Sequence, residues 1–196
     1  MELIDKVQQY TFVLASKSPR RRDIFNSLGL RHVIRTKEVD ESFPAELKAD
    51  EIPIYLSKKK AEAQADSLGE NEILVTADTV VWINDHVLNK PETMDEAKAM
   101  LQEISGTSHY VYTGVCLTTK DRSMAFAEGT EVKFHPLTEK EIDYYLERYR
   151  PLDKAGAYGI QEFIGYIGIE KVEGDFYNVV GFPVQRFWKE LDTFLR

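Results

Sequence analysis

One carboxylate stands in the middle of a strongly apolar segment. Asp78 lies in the β-prone run LVTADTVVW, residues 74–82. Burying a carboxylate is costly unless it is paired or binds a metal ion. Asp78 is therefore a candidate metal ligand or general base at the edge of a cleft. The alternative is a strand end or bulge at which Asp78 meets water.

Four cations are concentrated where a helix is predicted to begin. Lys17, Arg20, Arg21 and Arg22 occupy the loop and first turn after Ser16. The amino end of a helix carries free N–H groups and a partial positive charge, so cations there are unfavourable unless an anion is bound. The cluster predicts a phosphate site, and a solvated basic face is the alternative. The Gly-x-x-x-x-Gly-Lys pattern of a P-loop is absent.

The other chemically capable residues are weak candidates when each is taken alone. Asp40 and Glu41 are adjacent carboxylates of a kind that is common in exposed loops. Lys60 and Lys90 are lysines of a kind that usually faces solvent. His109 has no second histidine or cysteine nearby in the sequence, so strand capping or packing is a better interpretation than metal binding.

The elements that position these residues alternate between strands and helices, which indicates an α/β or mixed α+β fold with a mixed sheet. Ser18, Pro19 and Gly29 are typical N-cap, first-turn and stop residues of a helix. Thr93 and Thr138 each begin a capping-box pattern, with Glu three residues later. Helices are predicted over 20–28, 52–68, 93–104, 138–149 and 181–195, strands over 11–15, 73–83, 87–88, 109–119 and 124–134, and a glycine-rich connection over 155–174.

Length and composition limit the class of protein. With 196 residues, 43% of them hydrophobic, the chain can bury one sizeable core, so we expect a single domain over residues 1–196. No apolar run approaches the roughly 18 residues of a membrane span. Glu2 and Asp5, without an apolar region beside them, argue against a secretory signal.

Cysteine usage and charge narrow the class further. Cys116 is the single cysteine, so an internal disulfide and a cysteine-based zinc cluster are excluded, and a buried structural thiol is expected. These features together predict a cytoplasmic protein. The net charge of −8 disfavours nucleic acid as a partner. A small anionic ligand remains compatible, because its binding depends on a local cluster of cations.

In their order and spacing, these segments resemble the Maf family of nucleoside triphosphate pyrophosphatases over nearly the whole chain. Each motif is weak alone, and the combination is highly specific. The matching segments are LASKSPRR at 14–21, VDES at 39–42, Lys60-Ala61, ADTVV at 77–81, Lys90-Pro91, Ser105-Gly106 with His109, Thr113-Gly114-Val115, DKAGAYGIQ at 153–161 and NVVGFP at 178–183.

The resemblance implies a fold and a set of residue roles. The fold would be an elongated mixed sheet flanked by helices, with two lobes around a deep cleft, as in Maf and ITPase-like proteins. Asp78 would be the general base, and Glu41 would join it in holding a divalent cation, Mg²⁺ or Mn²⁺. The residues that the resemblance assigns to the phosphates are Arg20, Arg21, Lys60 and Lys90, and Ser16 matches a serine of the substrate-binding set on the same loop.

Three positions resemble the branch of the family that acts on dTTP and UTP. They are Arg20, Thr79 and Gln161, and the branch that acts on methylated guanosine triphosphates has other residues there. Hydrogen bonds from Thr79 and Gln161 would then discriminate between bases. Residues 162–174 are more aromatic than the commoner family pattern, which bears on the base contacts near Gln161.

The implied activity is hydrolysis of a nucleoside triphosphate to the monophosphate and pyrophosphate, in a housecleaning role. The alternative is a regulator of cell division that binds nucleotides without turnover. A pure binder has no need to keep both Glu41 and Asp78 beside a basic cluster. Phe163, Tyr166 and Tyr177 are expected to be exposed and would suit a homodimer interface.

Overall fold

A computed structural model describes residues 2–196 and contains one mixed sheet of seven strands. The strands are β1 (Thr11–Leu14), β2 (His32–Ile34), β3 (Glu72–Ile83), β4 (His86–Leu88), β5 (Ser108–Thr118), β6 (Ser123–Phe134) and β7 (Ile169–Glu173). Their order across the sheet is β2-β1-β3-β5-β6-β7, and β4 also pairs with β3. Strand β1 runs parallel to β2 and β3, and the other pairs are antiparallel. The predicted mixed sheet is confirmed.

Helices cover both faces of this sheet. They are α1 (Leu3–Val7), α2 (Pro19–Ser27), α3 (Glu51–Glu62), α4 (Met94–Ile104), α5 (Glu139–Tyr149), α6 (Phe163–Gly168), α7 (Phe176–Val180) and α8 (Val184–Phe194). In the described part of the chain, residues 2–196, none of them is both long enough and apolar enough to cross a bilayer.

The sequence patterns missed five short elements, and two other expectations differ from the structure. The short elements α1, β2, α6, β7 and α7 were not predicted, and α6 and β7 lie in the segment expected to be a connection. Elements this short depend on tertiary contacts more than on their own pattern. Helix α3 ends at Glu62 instead of 68, and a 3-10 turn follows over Ala65–Ser67. Asp78 lies inside the continuous strand β3, so the alternative of a strand end or bulge at this residue was wrong.

Two of the three predicted N-terminal caps form completely. Ser18 caps α2 by accepting a hydrogen bond from the Arg21 amide, with Pro19 at the first position. Thr138 and Glu141 form the reciprocal capping box of α5. At α4 the box is only half formed, because the Glu96 carboxylate accepts from the Glu92 amide instead of the Thr93 amide.

The two faces of β3 pack against different helices, because side chains alternate along a strand. Leu74 and Val80 face α3 and its surroundings. On the opposite face, Val75 belongs to a core cluster that includes Phe187 of α8, and Val81 belongs to a second cluster that includes Leu101 of α4. This face therefore carries two separate cores, one for each expected lobe, with a space between them.

The pairing of β3 leaves one stretch of its edge open beside this space. Strand β1 pairs with β3 only as far as Val75, and β4 pairs with it only from Val81 onward. Among the described residues, 76–80 are paired only on the β5 side. Asp78 and Thr79 therefore lie in a gap in the sheet, where their side chains border a cleft although they belong to a central strand.

The structure tests three predictions about how deeply side chains are buried. Cys116 is fully buried, as expected for a structural thiol. His109 is also buried and shares a hydrogen bond of 2.8 Å between its Nε2 and the Tyr158 hydroxyl, so the packing interpretation is confirmed. Tyr166 and Tyr177 are exposed, whereas Phe163 is partly buried against α5 residues, so its predicted exposure was wrong.

Candidate active site

A cleft of about 600 Å³ opens at the gap in β3. It lies between the two core clusters and is bordered by the loop that links β1 to α2. Its charged and hydroxyl-bearing lining residues are Ser16, Lys17, Ser18, Arg20, Arg21, Thr36, Lys37, Glu38, Glu41, Lys60, Asp78, Thr79, Lys90, Asp153, Lys154 and Tyr158. Eight of the nine site residues predicted from the sequence line this single cleft, and Gln161 does not.

Lys60 joins the two predicted acidic residues at the centre of the cleft. Its Nζ lies 2.5 Å from Asp78 Oδ1 and 2.8 Å from Glu41 Oε1. The Asp78 side chain is only 12% exposed, so its charge needs this partner. The two carboxylates are thus close enough to share one cation, although 37 positions separate them in the sequence (78 − 41).

The surrounding cations keep Glu41 ionised. Partial burial opposes its ionisation, but the hydrogen bond and charge of Lys60, helped by Lys90 and Arg21, lower the pKa of Glu41 below its ordinary value. Lys90 Nζ lies 3.9 Å from Glu41 Oε2. Cations from α3 and from the segment after β4 therefore favour the anionic form of Glu41, in which it can act as a ligand.

The loop that carries Glu41 is held against α3 by polar contacts. Lys59 Nζ lies 3.2 Å from Asp40 Oδ2 and donates to the Ser42 carbonyl at 3.0 Å. Lys37 donates to the Ala63 carbonyl at 2.9 Å. These contacts explain why Glu41, in a segment without regular secondary structure, lies opposite Asp78.

Arg21 forms the floor of the cleft through hydrogen bonds to protein groups. Its guanidinium donates to the carbonyls of Gly181 and Ala77, both at 2.8 Å, and to Thr79 Oγ1 at 3.0 Å. Burial lowers the pKa of Arg21 to about 10, which leaves it cationic at neutral pH. Most of its donors are therefore directed at the chain itself, and its predicted contact with phosphate stays a prediction.

Arg20, Lys17 and Ser16 lie around the amino end of α2. Arg20 Nε donates to the Val180 carbonyl at 3.2 Å, and Arg20 belongs to the lining of the cleft. Lys17 is 75% exposed and lies 3.2 Å from Glu38. Ser16 Oγ accepts from the Ser18 amide at 3.2 Å and so shapes the loop. Arg22 is exposed and does not belong to the cleft lining.

Thr79 points to the face opposite Asp78. Its hydroxyl contacts Thr113 Oγ1 at 2.8 Å as well as Arg21. Gln161 lies in an exposed turn outside the cleft lining. Base recognition by Thr79 and Gln161 therefore remains a prediction, and for Gln161 it would need contact with a part of the substrate that extends beyond the cleft.

The structure adds an acidic and a basic residue that single-residue arguments did not select. Lys154 is 8% exposed, and its Nζ lies 2.8 Å from Asp153 Oδ1 and 3.0 Å from Glu162 Oε1. Tyr145 donates to the other oxygen of Glu162. Burial opposes the ionisation of Asp153, but Lys154 lowers its pKa. The motif DKAGAYGIQ was the available signal, since it places two charges before a glycine-containing turn.

The two carboxylates of the cleft suit a hard divalent cation whose other ligands are not protein groups. Among residues 2–196, no group of three or more His, Cys, Asp or Glu side chains could hold a metal ion by itself. Mg²⁺ is usually held by one or two carboxylates together with water and substrate phosphates. Glu41 and Asp78 satisfy that requirement, and the cations around them leave room for phosphate charge.

Fold and site together define an α/β protein with a cleft in which two carboxylates lie among a group of cations. The sequence profile of the family of Maf-like proteins matches residues 11–194, and the chain belongs to this family.

Relatives with curated names match over nearly their full length. A protein named dTTP/UTP pyrophosphatase from Bacteroides thetaiotaomicron is 47% identical over 96% of this chain and 98% of its own. A protein of the same name from Parabacteroides distasonis is 46% identical over 98% of this chain and 100% of its own.

A solved structure supports the fold independently of sequence. The Ham1 protein of Staphylococcus aureus aligns with a TM-score of 0.54 over 93% of this chain and 98% of that protein, at 13% identity. At this identity the likeness concerns the fold alone. The expected Maf and ITPase-like architecture is thus confirmed.

Proposed function

We propose that this protein hydrolyses dTTP and UTP to the monophosphate and pyrophosphate, as a nucleoside triphosphate pyrophosphatase with a housecleaning role. The observation that carries the proposal is that Asp78 and Glu41 meet at Lys60 in a cleft that Arg20 and Lys90 also line. The names of relatives that share 46–47% of its residues support the substrate class.

The reaction would divide between the acids and the cations of the cleft. Asp78 would accept the proton of a water molecule whose oxygen bonds to the α-phosphorus. The bond from that phosphorus to the oxygen bridging to the β-phosphorus then breaks, and pyrophosphate leaves. Lys60, Lys90 and Arg20 would stabilise the charge that develops on the leaving group.

We propose Mg²⁺ or Mn²⁺ as the cofactor, with Glu41 and Asp78 as its ligands. A divalent ion at this position supplies charge neutralisation and lowers the pKa of bound water. Arg21 and Ser16 would maintain the shape of the loop that links β1 to α2, which we propose contacts the phosphates. Thr79, Arg20 and Gln161 would determine the preference for pyrimidine bases.

The central test replaces Asp78 with Asn and measures pyrophosphate release from dTTP and UTP. Loss of a general base typically costs on the order of 100-fold or more in rate. We therefore expect kcat to fall by at least about 100-fold. The matched control is Glu38→Gln, because Glu38 also lines the cleft but, within residues 2–196, forms an ion pair with Lys17 alone.

Near-wild-type turnover by Asp78→Asn would remove Asp78 from the mechanism. If the wild-type protein binds dTTP or UTP in the presence of Mn²⁺ and releases no pyrophosphate, the activity is wrong and nucleotide binding alone remains. The Glu38→Gln variant should keep its rate, which separates loss of a specific base from a general change of charge.

We also propose that the protein acts in the cytoplasm as a homodimer. A single buried cysteine suits a reducing compartment. Tyr166, 73% exposed, and Tyr177, 52% exposed, supply aromatic surface of the kind that is enriched at interfaces. Light scattering that gives only the 22.6 kDa monomer mass would rule out the dimer.

A further inference from the structure

Lys60 occupies the position that a shared cation would need. One ammonium nitrogen contacts a carboxylate oxygen of Asp78 at 2.5 Å and one of Glu41 at 2.8 Å. The side chains of Lys60 and Asp78 are 17% and 12% exposed, whereas that of Glu41 is 50% exposed, so the triad is enclosed at Asp78 and open to solvent at Glu41. The two oxygens can therefore be no farther apart than the sum of these two distances.

A divalent ion and this ammonium exclude each other. Mg²⁺ lies about 2.0–2.1 Å from its oxygen ligands, so an ion bound to both oxygens would fall within contact distance of the Lys60 nitrogen. The two cations would also repel each other strongly in a partly buried site. The carboxylates can accept a metal ion together only if Lys60 moves away.

The cleft offers Lys60 another anionic partner once a triphosphate is present. Lys60 comes from α3, and its flexible side chain reaches into the same cleft that Lys17, Arg20 and Lys90 line. Phosphate oxygens brought among these cations can replace the carboxylates as partners of the ammonium. When Lys60 moves away, the two acids lose its positive charge, and the incoming divalent ion replaces that charge.

We propose that Lys60 is a built-in competitor of the metal ion, so that Glu41 and Asp78 take up a divalent cation together with the nucleotide and not before it. The inference rests on the proposed function, which it deepens by assigning an order of binding. Lys60 thus has two positions: it neutralises the acids in the free protein and contacts phosphate in the complex.

The test measures Mn²⁺ binding to the full chain without any nucleotide, by calorimetry and by the electron paramagnetic resonance signal of free Mn²⁺. We expect Lys60→Met to bind Mn²⁺ at least about tenfold more tightly than wild type, because the acidic pair loses its resident cation. Lys60→Gln serves as a second variant that keeps polar contacts, and circular dichroism checks that both are folded.

The matched control is Lys17→Met. It removes one positive charge from the same cleft, but Lys17 contacts Glu38 and not the acidic pair in this structure. Its Mn²⁺ affinity should change by less than about threefold, since exposed charges act weakly through solvent. An equal gain in Lys17→Met would mean a general charge effect and would overturn the inference.

The inference also fails if folded Lys60→Met and Lys60→Gln bind Mn²⁺ no more tightly than wild type. Because the assay contains no nucleotide, its failure is distinct from failure of the proposed activity. If wild type turns over nucleotide and Lys60→Met shows no gain in Mn²⁺ affinity, only the competition between Lys60 and the metal ion is rejected. If Lys60→Met gains Mn²⁺ affinity but wild type does not turn over nucleotide, the competition is supported and the proposed activity is rejected.

Discussion

Asp78 and Thr79 are neighbours in the sequence but project to opposite faces of β3, as a strand requires. Asp78 contacts Lys60 of α3, whereas Thr79 contacts Arg21 of α2. Both reach one cleft because the edge of β3 is unpaired between β1 and β4. One dipeptide can therefore supply the proposed catalytic base and anchor the floor of the substrate site.

The titration of His109 affects stability, which can be measured independently of the chemistry in the cleft. Burial lowers its pKa from 6.5 to about 4, so the folded protein keeps this imidazole neutral. Between these two values the unfolded chain binds a proton that the folded protein does not. The contribution of His109 to the free energy of unfolding should therefore be present above about pH 6.5 and be lost as the pH falls toward 4.

We expect the double variant His109→Phe, Tyr158→Phe to show a smaller decrease in the free energy of unfolding than wild type between pH 6.5 and 4.5. The expected difference is on the order of 1 kcal/mol per pH unit, measured by urea unfolding. Tyr158→Phe alone is the control, because it keeps the titrating ring. Identical pH slopes for all three proteins would contradict the buried neutral state.

At the scale of elements, the position of α3 depends on close contact with β5. Gly114 lies opposite Asp78 in the strand register. A Cβ atom on Gly114 would overlap the backbone of Pro53 and Ile54 in the first turns of α3. Glycine is thus needed here for close approach, and that approach brings Lys60 within reach of Asp78.

We expect Gly114→Ala to push α3 away from the sheet and to lower the free energy of unfolding by about 1–3 kcal/mol, the usual range for an overpacked core. Urea denaturation measures this change. Gly69→Ala is the matched control, because its added Cβ would meet only ordinary contacts with Glu72 at 3.6 Å. Equal stability of Gly114→Ala and wild type would show that the helix has room to adjust.

For the whole molecule, one sheet joins the two cores that form the walls of the cleft. Strands β3 and β5 contribute to both, through Val75 and Val115 in one core and Val81 and Val111 in the other. The lobes therefore share their central strands, which differs from two domains connected by a linker. The single domain over residues 1–196 remains a prediction that unfolding experiments can test.

The two tryptophans report on different parts of this arrangement. Trp188 packs against the core that contains Phe187, and Trp82 packs beside α3 near the other end of β3. We expect the single-tryptophan variants Trp82→Phe and Trp188→Phe to show fluorescence transitions that coincide with their own circular dichroism transitions in urea. Separate fluorescence and circular dichroism midpoints in either variant would mean that the lobes unfold independently.

The sequence by itself determined the family, the longer elements and most of the cleft residues. Asp78 was identifiable because a carboxylate within an apolar strand demands a partner, and the cations after Ser16 because they oppose a helix dipole. Ser18 and Thr138 were recognisable as caps because capping depends on residues within one turn.

Tertiary structure alone decided which side chains contact one another in the cleft. Glu41 and Lys60 gave no local signal, because a loop acid and a helix lysine become distinctive only when they meet Asp78. Arg21 became the floor of the cleft through carbonyls of Ala77 and Gly181, far away in the sequence. Such contacts depend on how strands end and helices pack, and local sequence patterns carry no record of that geometry.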